Sequence, residues 1–555
     1  MKRASLTFVL LLTAATGTAF ARGSKDLDTP PAGVTPATVT VSQILKSYDS
    51  ATGRRTGSID TSNEVWQFNK QGLQGTETLL RSGSDYYSKL AAGPLVEEYG
   101  QFLGHGWHRD YNGVVSPVAT QDSASFEMLL IASNLNDASD PKNDVKMLGE
   151  LAGQYVVQVK ETGAKHPEFV YYDKKSGLID KMSYVSYGER VTLTFGDYRA
   201  TRGLTQPWHI HWSDGTASLD DDFVRKSMSV GVPIDSMKFI TPASSMKFQS
   251  FSGNVKLPAK VFIDTYTIDV GGGYQHDADA PTLVVRVNVN GRGLDFAVSA
   301  GEANTIIDSG VARELGLPTY GQTTHADGDD VAWDTVLPSA EIGGLSLHNF
   351  AVRALPFHYH ANDSTKVVGV LGFDVLSSGV FKMDFDNGTL DLYPASTYDN
   401  SPFAGDQGAT LNILFDRGYP FIQGTLAAHP SENVLFDNDY AFSYLLGGFV
   451  DRYPDAVTDV VTNKSHGVAT IPFADSSGYG KEVSVYLGKI PDIQIGPAHF
   501  VNYQMVTVDG PLYYGGHEVD AIMGGDVLRY YDVYLDYPHN KIYLQPNKSF
   551  FKAFH

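Results

Sequence analysis

Through much of the chain apolar and other residues alternate with a period of two, the pattern of half-buried strands. Tyr155-Val156-Val157-Gln158-Val159, Phe169-Val170-Tyr171-Tyr172, Val191-Thr192-Leu193-Thr194-Phe195 and Trp208-His209-Ile210-His211-Trp212 all read as strands. Turn signals separate them, among them Asp173-Lys174-Lys175-Ser176-Gly177 and Asp214-Gly215. The aromatic-rich meander predicts a sheet that closes or half-closes into a barrel. A short amphipathic helix is expected ahead of it, around Ile44-Leu45-Lys46-Ser47-Tyr48. The long apolar run, Leu6 to Leu12, follows Lys2 and Arg3 and precedes Ala19-Phe20-Ala21. It is too short to span a bilayer and reads as a secretory leader over residues 1–21. Residues 22–38, with Thr-Pro-Pro-Ala-Gly-Val-Thr-Pro-Ala, are expected to be a disordered linker.

The same alternation occurs twice in the C-terminal half. Gly-Val-Leu-Gly-Phe-Asp-Val-Leu from Gly369 returns 152 residues later as Ala-Ile-Met-Gly-Gly-Asp-Val-Leu from Ala521. Each copy runs into a strand-turn-strand, Phe381-Lys382-Met383-Asp384-Phe385 in one and Val533-Tyr534-Leu535-Asp536-Tyr537 in the other. Upstream, Pro281 to Val287 parallels Pro420 to Leu426, and Ala340 to Gly344 parallels Ile493 to Pro497. The fold class expected is mainly β: an N-terminal open barrel with helices, followed by two tandem β-barrel lobes packed as an intramolecular pseudo-dimer. The boundaries expected are 39–222 for the first unit, 223–275 for a connector, and 276–398 and 408–548 for the lobes.

Charge narrows the partners. A formal net charge of −21, or −23 once Lys2 and Arg3 leave with the leader, argues against nucleic acid and anionic membrane surfaces. With no cysteine there is no disulfide, thiolate metal site or acylation site. No cofactor or metal is implied. His209 with His211, and His358 with His360, would share strand faces, but spacing supplies no third ligand, so they read as ordinary strand histidines. His105 and His108 around Trp107 carry less signal still.

Two resemblances follow from these residues. Tyr171-Tyr172-Asp173-Lys174-Lys175-Ser176-Gly177-Leu178-Ile179, Phe195-Gly196-Asp197-Tyr198-Arg199 and Gly203-Leu204-Thr205-Gln206-Pro207 resemble the second half of the periplasmic lipoprotein-carrier (LolA/LolB-like) fold. The tandem repeat resembles the retropepsin-like aspartic proteases. In that family an apolar strand enters Asp-Thr/Ser-Gly, and a later apolar-apolar-Gly segment passes beneath the turn. Val370-Leu371-Gly372 and Ile522-Met523-Gly524 match that supporting segment. The catalytic turns depart from the motif. Ser299-Ala300-Gly301 stands in the first copy and Asp437-Asn438-Asp439 in the second.

An aspartic peptidase needs two carboxylates sharing one proton, and the resemblance leaves Asp437 facing Ser299. A lone Asp437 is expected to be a plain carboxylate. Neither Ala300 nor Asn438 carries the hydroxyl with which the family cross-braces its turns, and Asp439 replaces a glycine. Asp308-Ser309-Gly310 spells the motif but lies nine residues late, and Asp308 is expected to cap the following helix. Asp295 is expected in a turn or on an outer face. Asp374 and Asp526 are expected to cap short helices, and Asp384 and Asp536 to precede hairpin turns.

The leader implies export to a bacterial periplasm or the extracellular space, and the resemblances imply a protein of impaired peptidase activity that binds peptide or protein in the inter-lobe cleft. An aspartic endopeptidase using Asp437 with a non-standard partner is the first alternative. A carrier of lipid or lipoprotein through the N-terminal barrel is the second.

Overall fold

The computed structural model describes residues 27–53, 61–118, 137–139, 141–162, 164–186, 189–215, 217–246, 248–249, 253–271, 273–324, 331–356, 365–399, 408–460, 467–472, 480–496, 498–514 and 517–554. The expected leader, residues 22–26 of the expected linker, and His358 and His360 lie outside the described residues.

The N-terminal region forms one antiparallel sheet of thirteen strands. From one edge, Val115–Val118, the sheet runs back through five hairpins to Thr61–Lys70. There Asp221–Val230 pairs with residues 62–70, and the sheet continues to the far edge at Asp144–Leu151. Among the described residues the two edges do not pair with each other, so the sheet is open there. Val41–Thr52 is the expected amphipathic helix. Thr40 and Gln43 close a capping box at its start, and Gly53, at φ 75°, ends it in the left-handed region. Ile44 and Tyr48 are its buried apolar residues, and Tyr48 meets the Tyr172 ring edge-on at 5.7 Å. They join Trp66, Phe68, Val157, Tyr172, Leu193 and Phe223 in one core.

Two expectations change here. Residues 27–38 are not a loose linker, because Thr35 exchanges backbone hydrogen bonds with Glu150 at 2.9 and 2.7 Å and Leu27 is buried. Residues 223–230 are not connector but strand, with Phe223 and Arg225 turned inward. The charged Arg225-Lys226 pair hid the alternation. Arg225 is buried against Glu64 at 3.1 Å and lies over the Trp66 ring.

The C-terminal half contains two lobes of matching order. In each, a long strand and its partner lead into the apolar strand before the turn, Arg292–Val298 or His429–Phe436. A short return strand and helix come next, then a long hairpin, then the supporting strand, Val367–Leu371 or Ala521–Met523. The lobes share a six-stranded sheet. Its order is Val255–Gly271, Thr389–Tyr393, Val380–Asp384, Tyr531–Asp536, Lys541–Pro546, Ala409–Asp416. At its centre Phe381 pairs with Leu535 and Met383 with Val533. All four are buried in a single core that extends into both lobes. Burying side chains of this size stabilises by about 1.5–3 kcal/mol each, so the seam is a structural core and not a loose contact.

The first lobe also extends an arm. Ile268, Val270 and Ala278, in the outer part of the Val255–Gly271 and Tyr274–Val289 hairpin, pack into the core of the second lobe beside Tyr440, Phe442 and Tyr444. Arg529 of that lobe pairs with Asp279 at 2.9 Å.

Candidate functional site

The two turns are placed by parallel strand pairs. Val298 pairs with Leu371, and Phe436 with Met523. One residue on, the N–H of Ser299 donates to Leu371 O and that of Asp437 to Met523 O, both at 3.1 Å. Gly372 and Gly524 follow. A Cβ on Gly372 would lie 2.8 Å from the backbone of Glu302 and Asn304, and one on Gly524 would lie 2.3 Å from Phe442 O. No side chain larger than hydrogen fits where the supporting turn passes the catalytic-type turn. The two turns are locked again from behind. Thr305 Oγ1 donates to Asp374 and accepts from Gly372 N–H, at 2.6 and 3.3 Å. Ser443 Oγ does the same with Asp526 and Gly524 N–H, at 2.6 and 3.0 Å.

Asp374 and Asp526 are therefore not helix caps. The caps are Gly372 and Gly524, without side-chain bonds, and the carboxylates hold the return strands instead. Asp384 does shape its hairpin turn, accepting from Asn387 N–H at 2.9 Å. Asp536 ends the Tyr531–Asp536 strand before the turn that follows it. Asp308 caps Ser309–Glu314 through Val311 N–H at 2.9 Å. Asp295 is neither in a turn nor on a free outer face. It is nearly buried in the Arg292–Val298 strand, paired with Arg286 at 2.9 Å and Lys260 at 3.4 Å. His209 and His211 both face Asp222, at 3.1 and 3.0 Å. His108 pairs with Glu97 at 2.8 Å, while His105 is exposed. Among the described residues no group of three or more His, Asp or Glu is disposed to hold a metal ion.

At the seam Ser299 Oγ donates toward Asp437 Oδ1 at 3.4 Å. The Ser299 hydroxyl also accepts from Glu302 N–H at 3.1 Å. Gly301 sits so close that a Cβ there would lie 2.2 Å from Asp437 Cγ.

Two features of the turns differ from expectation. First, the cross-brace survives without hydroxyls. Asn438 Oδ1 accepts from Ala300 N–H at 2.7 Å, and its Nδ2 donates to Val298 O at 2.9 Å. One amide carries a donor and an acceptor, and both reach the opposite turn. Tyr537 adds a second tie, its hydroxyl donating to Ala300 O.

Second, Asp437 is not without like-charged neighbours. Asp439 and Glu302 both lie near enough to feel its charge, so the seam holds three acids. Burial raises the Asp437 carboxyl above the ordinary range, opposed by N–H groups of Asp439 and Gly301 and by Ser299. Asp439 is raised by the protein mass around it and then by Asp437. As a residue it is open to solvent, which weakens the effect of burial and screens the Asp437 charge. Its φ is not positive, which is how an aspartate replaces a glycine here without strain.

Burial, followed by Asp437, pushes Glu302 up to about 8. Behind the turn, burial and then Asp110 raise Asp374 to about 7. Sequence reasoning missed Glu302. It falls opposite Tyr440 in the repeat, where no motif asks for an acid. The site thus holds one hydroxyl and three carboxyl groups of raised pKa, with Ser299 and Asp437 buried, Glu302 half-buried and Asp439 exposed.

In the N-terminal region, a pocket of about 210 Å³ including its open mouth is lined by Phe68, Lys70, Leu73, Leu90, Ala92, Leu95 and Tyr111.

No curated protein matches the sequence. Among solved structures, a LolA superfamily protein from Nitrosomonas europaea aligns at 12% identity over 37% of this chain and 98% of its own, with a TM-score of 0.29. A DUF1329 family protein from Desulfovibrio piger aligns at 16% identity over 36% of this chain and 97% of its own, at 0.26. Basic 7S globulin from soybean aligns at 10% identity over 53% of this chain and 94% of its own, at 0.28. Likeness of that degree carries no functional weight. Residues 285–375, from within the Tyr274–Val289 strand to the helix after Gly372, match the aspartyl protease family model, so that segment is similar to the retropepsin-like proteases.

Proposed function

We propose that the protein is an exported peptide- or protein-binding protein whose groove is the cleft between the lobes, with peptide hydrolysis impaired. The observation that carries this reading is the Ser299 hydroxyl facing Asp437 at 3.4 Å, where the resemblance calls for a second carboxylate. A serine cannot share a proton symmetrically with Asp437 or trade acid and base roles with it. Cross-bracing by Asn438 supports the binding half of the proposal, because it keeps the two turns in a fixed relation as a groove floor requires.

A second reading rests on the added acids. Asp437 is flanked by Asp439 and Glu302, and with Glu302 near 8 a protonated acid and a more acidic neighbour coexist close to neutral pH. That is the raw material of an unsymmetrical aspartic-type hydrolase. One experiment separates the two. A diverse peptide mixture is incubated with the full chain from pH 3 to 8 and analysed for both retained and cleaved peptides, with Asp437→Ala as control. Retention without cleavage supports the first reading. Cleavage that disappears in Asp437→Ala overturns it in favour of the second. Neither retention nor cleavage rejects both.

A further inference from the structure

The N-terminal sheet reaches the back of the first catalytic-type turn. Between the strands His105–Arg109 and Val115–Val118, Asp110 builds a tight turn, its carboxylate accepting from Asn112 N–H at 2.9 Å and Val114 N–H at 2.8 Å. Val114, just beyond, is buried in the core of the lobes. Asn112 is 3% exposed. Its Oδ1 accepts from Ala351 N–H at 2.7 Å and its Nδ2 donates to Ala351 O at 2.8 Å, so the amide docks on the Leu345–Leu355 strand as a peptide group would. The same Nδ2 donates to Asp374 Oδ2 at 3.0 Å. Asp374 in turn accepts from the Thr305 N–H and hydroxyl, and Thr305 holds Gly372.

Every step of this chain is a buried hydrogen bond, and it ends on the supporting turn beneath Ser299. The second lobe is built differently. Asp526 holds Ser443 by the same contacts, yet among the described residues nothing from the N-terminal sheet bonds to it. Its surroundings come instead from the hairpin arm, with Ala280 against Gly525 and His276 near the carboxylate.

We infer that Asn112 is a positioning residue for the cleft: the N-terminal domain braces the Ser299 turn through Asn112, Asp374 and Thr305, and binding in the groove depends on that brace. Its functional half rests on the groove reading above; its structural half does not. Asn112 is suited to the task because an amide alone offers a donor and an acceptor to Ala351 and a second N–H to Asp374. Removing it leaves Ala351 N–H without its partner and takes one of two N–H donors from Asp374 Oδ2, with Thr305 N–H remaining, while the site residues themselves are intact.

The test uses the full chain as wild type, Asn112→Ala, Asp374→Asn and the double variant, with two readouts. Hydrogen exchange is followed at the amides of Ser299 to Thr305 and Leu371 to Phe373, with Asp437 to Tyr440 and Met523 to Gly525 as internal control. Affinity is measured for peptides selected on the wild type. Asn112→Ala should speed exchange in the first-lobe segments about tenfold and leave the control segments within twofold. Peptide affinity should fall by a similar factor, and adding Asn112→Ala to Asp374→Asn should cost little more. Unchanged exchange in the first-lobe segments, or fully additive losses in the double variant, would overturn the inference. If the wild type retains no peptide, the groove reading fails while exchange still decides the brace. Should Asn112→Ala not fold, Asn112→Ser, which keeps a small polar group in the same pocket, is read by the same criteria.

Discussion

The replacement of two hydroxyls by one amide can be tested directly through Asn438→Ala. The substitution removes the acceptor of Ala300 N–H and the donor to Val298 O, and both backbone groups lie in a floor where Ala300 and Val298 are fully buried. Leaving a buried polar group unpaired costs about 1–3 kcal/mol, so two such groups cost about 2–6 kcal/mol. Even the lower figure is roughly a thirtyfold change in a local opening equilibrium. The chain has several cooperative parts, so a single unfolding midpoint is a poor readout. Exchange of the Ala300 amide is the better one. Asn438→Ala should raise its exchange rate at least thirtyfold. Asn438→Thr, whose single hydroxyl can meet one of the two partners at a time, should fall between the variants. Exchange at Ala300 within threefold of wild type in Asn438→Ala would refute the argument that the amide is the cross-brace.

Further consequences can be checked on the purified chain. Gly301→Ala places a methyl where Asp437 Cγ already stands at 2.2 Å, so it should displace Asp437 and cost several kcal/mol, read as a lowered denaturant midpoint and lost peptide retention; a neutral outcome would contradict the packing of the two turns. Glu302 has a folded-state pKa raised to about 8 from 4.5, so the unfolded chain ionises first and stability is lost as pH rises between those values. Glu302→Gln should therefore stabilise the lobes above pH 8, by about 1–3 kcal/mol after discounting for its partial exposure, and the gain should vanish below pH 4.5; an equal effect at pH 4 and pH 8.5 would contradict the shift. In the N-terminal sheet, Arg225→Ala leaves Glu64 buried with its ionic partner gone and should cost about 3–5 kcal/mol by denaturant unfolding followed through tryptophan fluorescence. A loss under 1 kcal/mol would show that the pair is not what holds Asp221–Val230 in place.

The sequence made the frame legible because frame contacts are short-range and sterically strict. The apolar-apolar-Gly segments could be read because only glycine passes that close to Phe442 O or to the Glu302 backbone, and because the flanking strands are regular. The Asp308 cap was legible for the same reason, three residues from the N–H it accepts. What escaped is contact that the fold creates between distant positions. Asn438 looked like a lost hydroxyl in a one-dimensional comparison, and only the placement of Val298 and Ala300 reveals that its amide serves both. Asn112 is 262 residues from Asp374, and no spacing rule connects them. Arg225 was unreadable as a core residue because its burial depends on Glu64 from another strand. Asp374 and Asp526 misled because an acid after a glycine at a helix start is a common cap, whereas here Thr305 and Ser443 compete for it and win.

The two halves of the site obey different constraints, and that difference bears on what the molecule can do. Holding two turns together requires that donors meet acceptors, and many side chains satisfy that count. In a symmetric pair each turn would contribute one hydroxyl; in this chain Asn438 contributes both functions, which frees the first turn to carry Ala300. Proton sharing is less permissive, because it requires two carboxyl groups of comparable acidity on either side of one water. Ser299 breaks that equality, and Asp439 and Glu302 restore the number of acids without restoring their symmetry. The outer supports are unequal as well, the N-terminal loop behind Ser299 and the hairpin arm behind Asp437. A groove that only holds a peptide tolerates all of these asymmetries, since rigidity needs satisfied hydrogen bonds and not matched pKa values. Hydrolysis on this floor would have to be an unsymmetrical reaction with fixed acid and base, and the pH dependence of any cleavage would carry two well-separated limbs in place of a shared-proton dyad's.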